Sequence, residues 1–199
     1  MNRIIYITED IRSTSGEFQK DHSLVRRIFD EVTYLNLMSD KMPIHVMVDT
    51  DGGNLKTALT IFDLLRASKA PIYTYGLSEV SSAGTIIYLA GDKRFAFSHT
   101  QFMTHESSLS VGGSKKDFEH TAAQCLKQNS KVWPIFKSRI KMGKRNFEKL
   151  HAHSNYMFSK EAKKYKIVTD ILTNFPEHLI DGTVEYTIEP VVLEMKHDK

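Results

Sequence analysis

Apolar and polar positions change period in blocks along the chain, and each block predicts an element. Arg3-Ile4-Ile5-Tyr6-Ile7 is a β-branched and aromatic run closed by Thr8-Glu9-Asp10, the pattern of a short buried strand. Leu24, Val25, Ile28, Phe29, Val32, Leu35 and Leu37 then recur mostly at three- and four-residue spacings, and Asp21-His22-Ser23 supplies the helix start. A second strand spans 44–48. The turn Asp49-Thr50-Asp51-Gly52-Gly53-Asn54 leads from it into a helix carrying Leu55, Ala58, Ile61, Phe62 and Leu65. A third strand, Pro71-Ile72-Tyr73-Thr74-Tyr75, enters a run of small residues at 76–84 and then the apolar segment 85–91. Short strands at 94–97 and 101–104 follow, the second running into His105. A helical stretch from about 114, just after Gly112-Gly113, to 141 is interrupted by Pro134, which predicts a kink or a split. A helix at 159–166 and a buried strand at 166–172 close the core. Beyond Pro176, Val184, Tyr186 and Ile188 alternate with polar residues in the pattern of an edge strand.

Strands alternating with helices predict an α/β fold. A chain of 199 residues without repeats or linkers fits one domain over 1–199, with a core at about 3–172 and a C-terminal extension at 173–199. A single cysteine, Cys125, excludes an intrachain disulfide and a cysteine-based zinc cluster, and it suits a reducing, cytoplasmic setting. At its helical position it reads as a packing residue. No apolar run approaches the roughly 20 residues of a membrane span, and the start meets acidic residues at once, so neither a membrane nor export is expected. Although the net charge is +3, the lysines are dispersed except around 137–149, where a solvated helix face suffices; no nucleic-acid partner is expected. No cofactor or metal is expected either. Gly52-Gly53 lacks both the Gly-Lys-Ser/Thr of a phosphate loop and the full dinucleotide fingerprint.

Three features carry chemistry. Two glycines between a strand and a helix let backbone N–H groups face open space at a positive helix end, where an oxyanion could bind; the plainer reading is a tight turn. Ser82, in Ser82-Ala83-Gly84 at the mouth of an apolar helix, is either a helix cap or a nucleophile whose developing oxyanion meets the next N–H. His105, at the end of a strand, is a structural histidine or a general base. Jointly they supply nucleophile, base and oxyanion donors, the parts of acyl transfer.

The order of these motifs resembles the ClpP caseinolytic peptidase family, the proteolytic chamber of an ATP-dependent protease. Arg3-Ile4-Ile5-Tyr6-Ile7-Thr8 resembles its first core strand, and Asp49-Thr50-Asp51-Gly52-Gly53 its Asn-Ser-Pro-Gly-Gly turn. Ser82-Ala83-Gly84 followed by Leu89-Ala90-Gly91 resembles Ser-Met-Gly with Ala-Ala-Gly, and Phe102-Met103-Thr104-His105-Glu106 resembles Met-Ile-His-Gln. The segment from Phe158-Ser159-Lys160-Glu161-Ala162 to Val168-Thr169-Asp170-Ile171 is similar to its Leu-Ser-Ala-Pro-Glu-Ala through Leu-Val-Asp-Ser-Ile. The resemblance runs from about Arg3 to Leu172. It implies a ClpP/crotonase-like layered fold with a long handle helix at 114–149, Ser82 as nucleophile in preference to Ser81, and His105 as base. It further implies an oxyanion hole from the N–H groups of Gly53 and Ala83, assembly with itself as a heptamer or double heptamer, and a Clp-type AAA+ unfoldase or an active paralogue as partner.

The departures from that family carry expectations of their own. Alignment on Phe158-Ser159-Lys160-Glu161-Ala162 puts Asn155 at the position of the aspartate that orients the histidine, with Glu106, Asp170, His151 and His153 as substitutes. An amide oxygen can accept from imidazole but cannot match a full charge beside imidazolium. The first core strand begins at Arg3, so unfoldase coupling through preceding axial loops is expected to be absent or weakened. Asp51 stands where the family has proline, the loop before Ser82 is about two residues longer, Ser154 replaces an arginine engaged between rings, and Pro134 beside Trp133 interrupts the handle. Three readings follow: a serine peptidase subunit acting on peptides and unfolded proteins, a catalytically impaired or regulatory ring subunit, and a crotonase-like acyl-CoA enzyme. A Ser-Lys peptidase using Lys56 is a weaker variant.

Overall fold

The computed structural model describes residues 3–12, 24–108, 113–140, 142–174, 176 and 179. The predicted helix start at Asp21-His22-Ser23, Gly112 and the alternating segment at 184–188 lie outside the described residues.

A seven-stranded sheet organises the chain. Strands β1 (Ile4–Ile7), β2 (Ile44–Thr50), β3 (Ile72–Ser81), β4 (Lys93–Phe97) and β7 (Asp170–Leu172) lie parallel in that order. β5 (Gln101–Thr104) pairs parallel with β3, and β6 (Asn155–Phe158) pairs antiparallel with β5. β2 is buried along nearly its whole length, as expected for a central parallel strand covered on both faces. Against the sheet pack α1 (Leu24–Met38), which buries Ile28, Val32 and Leu35 at helical spacing, and α2 (Leu55–Arg66), which buries Ala58, Ile61 and Leu65. The six residues of α3 (Ala83–Tyr88) are all buried. Asn54 starts α2 by accepting the Thr57 N–H at 2.9 Å.

β3 is longer than its hydrophobic pattern predicts. Tyr73 to Gly76 pair with β4, and Glu79 to Ser81 pair with β5, so one strand serves two neighbours in succession. Against β2 its register slips: Val48 faces Gly76 but Thr50 faces Val80, so β3 accommodates two extra residues. Asp49 ties down this bulge by accepting the N–H groups of Ser78 and Glu79 at 3.2 and 2.8 Å. The lengthened loop expected before Ser82 is therefore part of the sheet.

Two other expectations change. The handle divides into α4 (Lys115–Asn129) and α5 (Val132–Arg139), with α6 (Lys144–His151) following. The division falls at Ser130 and Lys131, and Pro134 sits inside the first turn of α5, where its missing N–H would have had no partner in the helix. Ser114 opens α4 with a reciprocal capping pair to Asp117, yet α4 buries none of its residues and leaves Phe118 and Leu126 exposed. The strand predicted at 166–172 is shorter. α7 (Ser159–Lys164) ends in a turn with Lys166 at φ 60°, and only Asp170–Leu172 pair, against β4.

The first strand is held to the end of α1 by a buried guanidinium. Arg3 donates to Leu35 O at 2.9 Å, in the last turn of α1, and to Ser39 O at 2.9 Å, Met42 O at 2.8 Å and Pro43 O at 3.1 Å in the connection that leads to β2. Removing it strands several of these carbonyls together. Arg3→Ala should therefore cost about 2–4 kcal/mol of stability, seen as a lower urea midpoint with an unchanged m-value; a loss under about 0.5 kcal/mol would show that water replaces the guanidinium freely.

Candidate active site

The end of β3 delivers Ser82 to a fixed place. Its backbone has φ 53° and ψ −119°, an unfavourable conformation for a residue with a side chain. Ser82 N–H donates to Met103 O at 2.8 Å, and the Thr85 hydroxyl donates to Val80 O and Met103 O at 2.9 and 3.0 Å, so β5 clamps both sides of the turn. The Ser82 hydroxyl makes no cap hydrogen bond to α3. It lies 2.6 Å from His105 Nε2, which β5 brings alongside because Ser81 is paired with Met103. With the imidazole proton on Nδ1, Ser82 Oγ–H donates to Nε2.

The glycine turn packs directly on this serine. Gly52 and Gly53 have φ 105° and 134°. A Cβ on Gly52 would meet Ser81 O at 2.7 Å and Ser82 Cβ at 2.8 Å, and one on Gly53 would meet Ile11 O at 2.3 Å. Neither position admits a side chain. The N–H of Ala83, in the first turn of α3, and the N–H of Gly53 have no acceptor among the described residues. Gly53, Ser82, Ala83 and His105 line one cavity of about 540 Å³, to which Ile86, Val132, Phe136 and His151 also contribute. Asp51, exposed, brings the one carboxylate among the described lining residues.

Ser81 is fully buried and its hydroxyl donates to Glu79 at 2.5 Å, so it does not share His105 with Ser82. Asn155 stands opposite Thr104 in the β5–β6 pairing, one residue from His105, but makes no hydrogen bond to the imidazole. Of the four substitutes, Asp170 lies at β7, paired with Phe95 and 3.7 Å from Lys163. Glu106 and His153 are exposed and outside the cavity lining, as is Lys56 on α2. His151 does reach the cavity. Its ring stacks on Phe147 at 4.7 Å and meets Phe136 edge-on at 5.9 Å, and its buried Nδ1 has no hydrogen-bond partner among the described residues. Burial, then the proximity of His105, lowers its pKa to about 4.

Several participants escaped the sequence reading. Glu79, which occupies Ser81, and Asp49, which pins the bulge, look like ordinary loop acids in the chain. Thr121, Gln124, Cys125 and Gln128 form the α4 wall of the cavity, and only their three- and four-residue spacing hinted at a shared face. Among the described residues no group of three His, Cys, Asp or Glu side chains converges on a metal-sized space, and no helix is long and apolar enough to cross a membrane.

The model of one protein family, described as Clp protease, matches residues 2–175. The chain belongs to the Clp protease family. Among curated members, it is 28% identical over 165 residues to the ATP-dependent Clp protease proteolytic subunit 2 of Treponema pallidum (strain Nichols), covering 79% of each chain. It is likewise 28% identical over 156 residues to proteolytic subunit 3 of Rhizobium meliloti (strain 1021), covering 77% of this chain and 80% of that one. A solved ClpP1 from Listeria monocytogenes, a variant with asparagine replaced by aspartate, superposes with a TM-score of 0.74. That match covers 86% of this chain and 92% of the other at 24% identity, which establishes the shared ClpP fold.

The buried His151 links the site to acid stability. A histidine whose pKa is about 4 folded and about 6.5 unfolded lets the unfolded chain bind more protons, so stability falls as pH drops from about 6.5 to about 4. The expected loss from this group is about 2–3 kcal/mol. His151→Phe, which keeps the stacked ring, should remove that part of the difference between urea midpoints at pH 7 and pH 4.5. An identical acid loss in both proteins would place the sensitivity elsewhere.

Proposed function

We propose that this Clp-family chain is a serine peptidase subunit that cleaves peptides and unfolded proteins inside a ring-shaped compartment. The observation that carries the reading is the 2.6 Å contact between Ser82 Oγ and His105 Nε2 at a cavity also lined by Gly53 and Ala83, whose N–H groups have no acceptor among the described residues. In this reading His105 accepts the proton as Ser82 Oγ attacks the scissile carbonyl, then returns it to the leaving amine. The N–H groups of Gly53 and Ala83 receive the oxyanion, and their fixed positions avoid reorganisation as charge develops. Water repeats the cycle to release the acyl group. Family membership favours this reading over acyl-CoA chemistry, and Lys56 is outside the cavity, which disfavours a Ser-Lys pair.

Assembly with itself, as a heptamer or double heptamer, belongs to the same proposal, together with a Clp-type unfoldase or an active paralogue as partner and a reducing, cytoplasmic setting. Phe118 and Leu126, exposed on a helix with no buried residue of its own, support self-assembly. A second reading, a catalytically impaired subunit, draws support from His105: neither Asn155 nor any other described residue accepts a hydrogen bond from its Nδ1. Imidazolium formed during attack then lacks a balancing charge.

A fluorophosphonate probe tests the reading without knowledge of the substrate. Mass spectrometry should find one adduct on Ser82 in the wild type and none in Ser82→Ala; an unlabelled wild type would favour the impaired subunit. Asn155→Asp should raise peptide turnover by roughly tenfold if the missing charge limits the rate, the effect of about 1.4 kcal/mol on the barrier. Unchanged turnover would assign the limit to geometry or assembly.

A further inference from the structure

The short helix that begins at the serine turn is fastened with unusual completeness at its other end. Each carbonyl from Tyr88, the last residue of α3, through Leu89, Ala90 and Gly91 of the turn that follows has a side-chain donor. The Thr74 hydroxyl donates to Tyr88 O at 2.9 Å, Arg139 Nε to Leu89 O at 2.9 Å, and Arg66 to Ala90 O at 3.1 Å. Gly91 O accepts from Arg94 at 2.9 Å and also from Arg139. A helix end normally leaves such carbonyls to water, and cations there oppose the partial negative charge of the terminus. Gly91 leaves the space for this arrangement, because a Cβ would lie 2.3 Å from Thr74 Oγ1 and 2.7 Å from Lys93 O.

The three arginines start from different elements, and Arg139 comes from α5, which lends two residues to the wall of the cavity. It is the last residue of α5, whose Val132 and Phe136 face the same space as Ser82. Its side chain is 19% exposed and reaches past the end of α5 to α3, with Asp92 at 3.9 Å. Arg94 completes the link from the other side, donating to the Arg139 carbonyl at 3.1 Å and to Lys166 O and Ile167 O at 2.7 and 2.8 Å. Arg66 reinforces the pair through Asp92 at 2.5 Å. α3 is thus held between a strained turn at Ser82 and a guanidinium clamp, with α5 attached to the clamp. With only about 9 Å of helix between the two ends, a shift at one is transmitted to the other.

We propose that Arg139 is a positioning residue: by tying α5 to the Leu89 and Gly91 carbonyls in the turn that closes α3, it holds Ser82 Oγ and the Ala83 N–H in register for reaction. The reactivity of Ser82 then follows the position of α5. This rests on the reading of Ser82 as nucleophile.

The test is the labelling rate of the full chain by a small fluorophosphonate, too short to touch α5. The rate is resolved into the inactivation constant and the apparent affinity, well below the melting temperature of each variant. Arg139→Met should lower the inactivation constant by roughly ten- to a hundredfold, the penalty of a displacement on the order of 1 Å, with affinity within about twofold. Arg139→Lys keeps the charge but can serve only one carbonyl well, and should recover part of the rate. A clamp that is merely structural would lower the melting temperature of both variants and leave the inactivation constant alone. Wild-type labelling by Arg139→Lys overturns the proposal even if Arg139→Met does not fold, and so does a loss in Arg139→Met confined to affinity. If the wild-type chain itself is not labelled, the nucleophile reading fails first and takes this inference with it; labelled wild type with unaffected variants sinks the inference alone.

Discussion

The backbone of Ser82 occupies a conformation that costs a non-glycine residue on the order of 1–3 kcal/mol, and the surrounding structure makes that cost unavoidable. Upstream, β3 is fixed by its pairing with β5, which also carries His105. On one flank, Gly52 comes so close that only a residue without Cβ fits. Downstream, α3 is wholly buried and the carbonyls of the turn that closes it are claimed by side chains. A serine in a relaxed helix-capping geometry would turn its hydroxyl toward the helix backbone. Strain turns it toward the imidazole instead, and the contact between Ser82 and His105 is as much a product of sheet pairing as of hydrogen bonding.

Much of this was legible in the chain. The alternation of strands and helices, the Gly-Gly turn and the positions of Ser82 and His105 follow from local pattern, since glycine at positive φ and a small-residue run before an apolar segment are short-range signals. The limits of β3 were not, because Gly76 to Ser81 reads as a loop until β5 pairs with it. The break between α4 and α5 was misplaced for a related reason: proline disrupts helix interiors but is tolerated in a first turn, and sequence alone does not say where that turn begins. β6 carries only one buried residue among its four and offered little pattern to detect. The relation of Asn155 to His105 depends on side-chain direction across two paired strands, which residue spacing does not encode.

Electrostatics divides the molecule into two regimes. Around α3's far end, buried guanidiniums are matched to carbonyls, and burial followed by the nearby Arg139 lowers the Arg94 pKa to about 10 while leaving it charged at neutral pH. Around the cavity the opposite holds: His151 is kept neutral by its aromatic surroundings, and Asp51 remains at the exposed mouth. Apart from Asp51, the described lining of the cavity carries no Asp, Glu, Lys or Arg side chain, and the guanidiniums stand in the scaffold behind it.

The bulge in β3 has a further meaning in the parity of the strand. Side chains alternate across a sheet with period two, so two residues added in extended conformation return every following side chain to its original face. Between the Val48–Gly76 and Thr50–Val80 pairs β3 gains two residues on β2. Length variation just upstream of the serine turn is thus absorbed within β3 itself: the two added residues deepen the bulge, and the pairing of Ser81 with Met103 that presents Ser82 to His105 is kept.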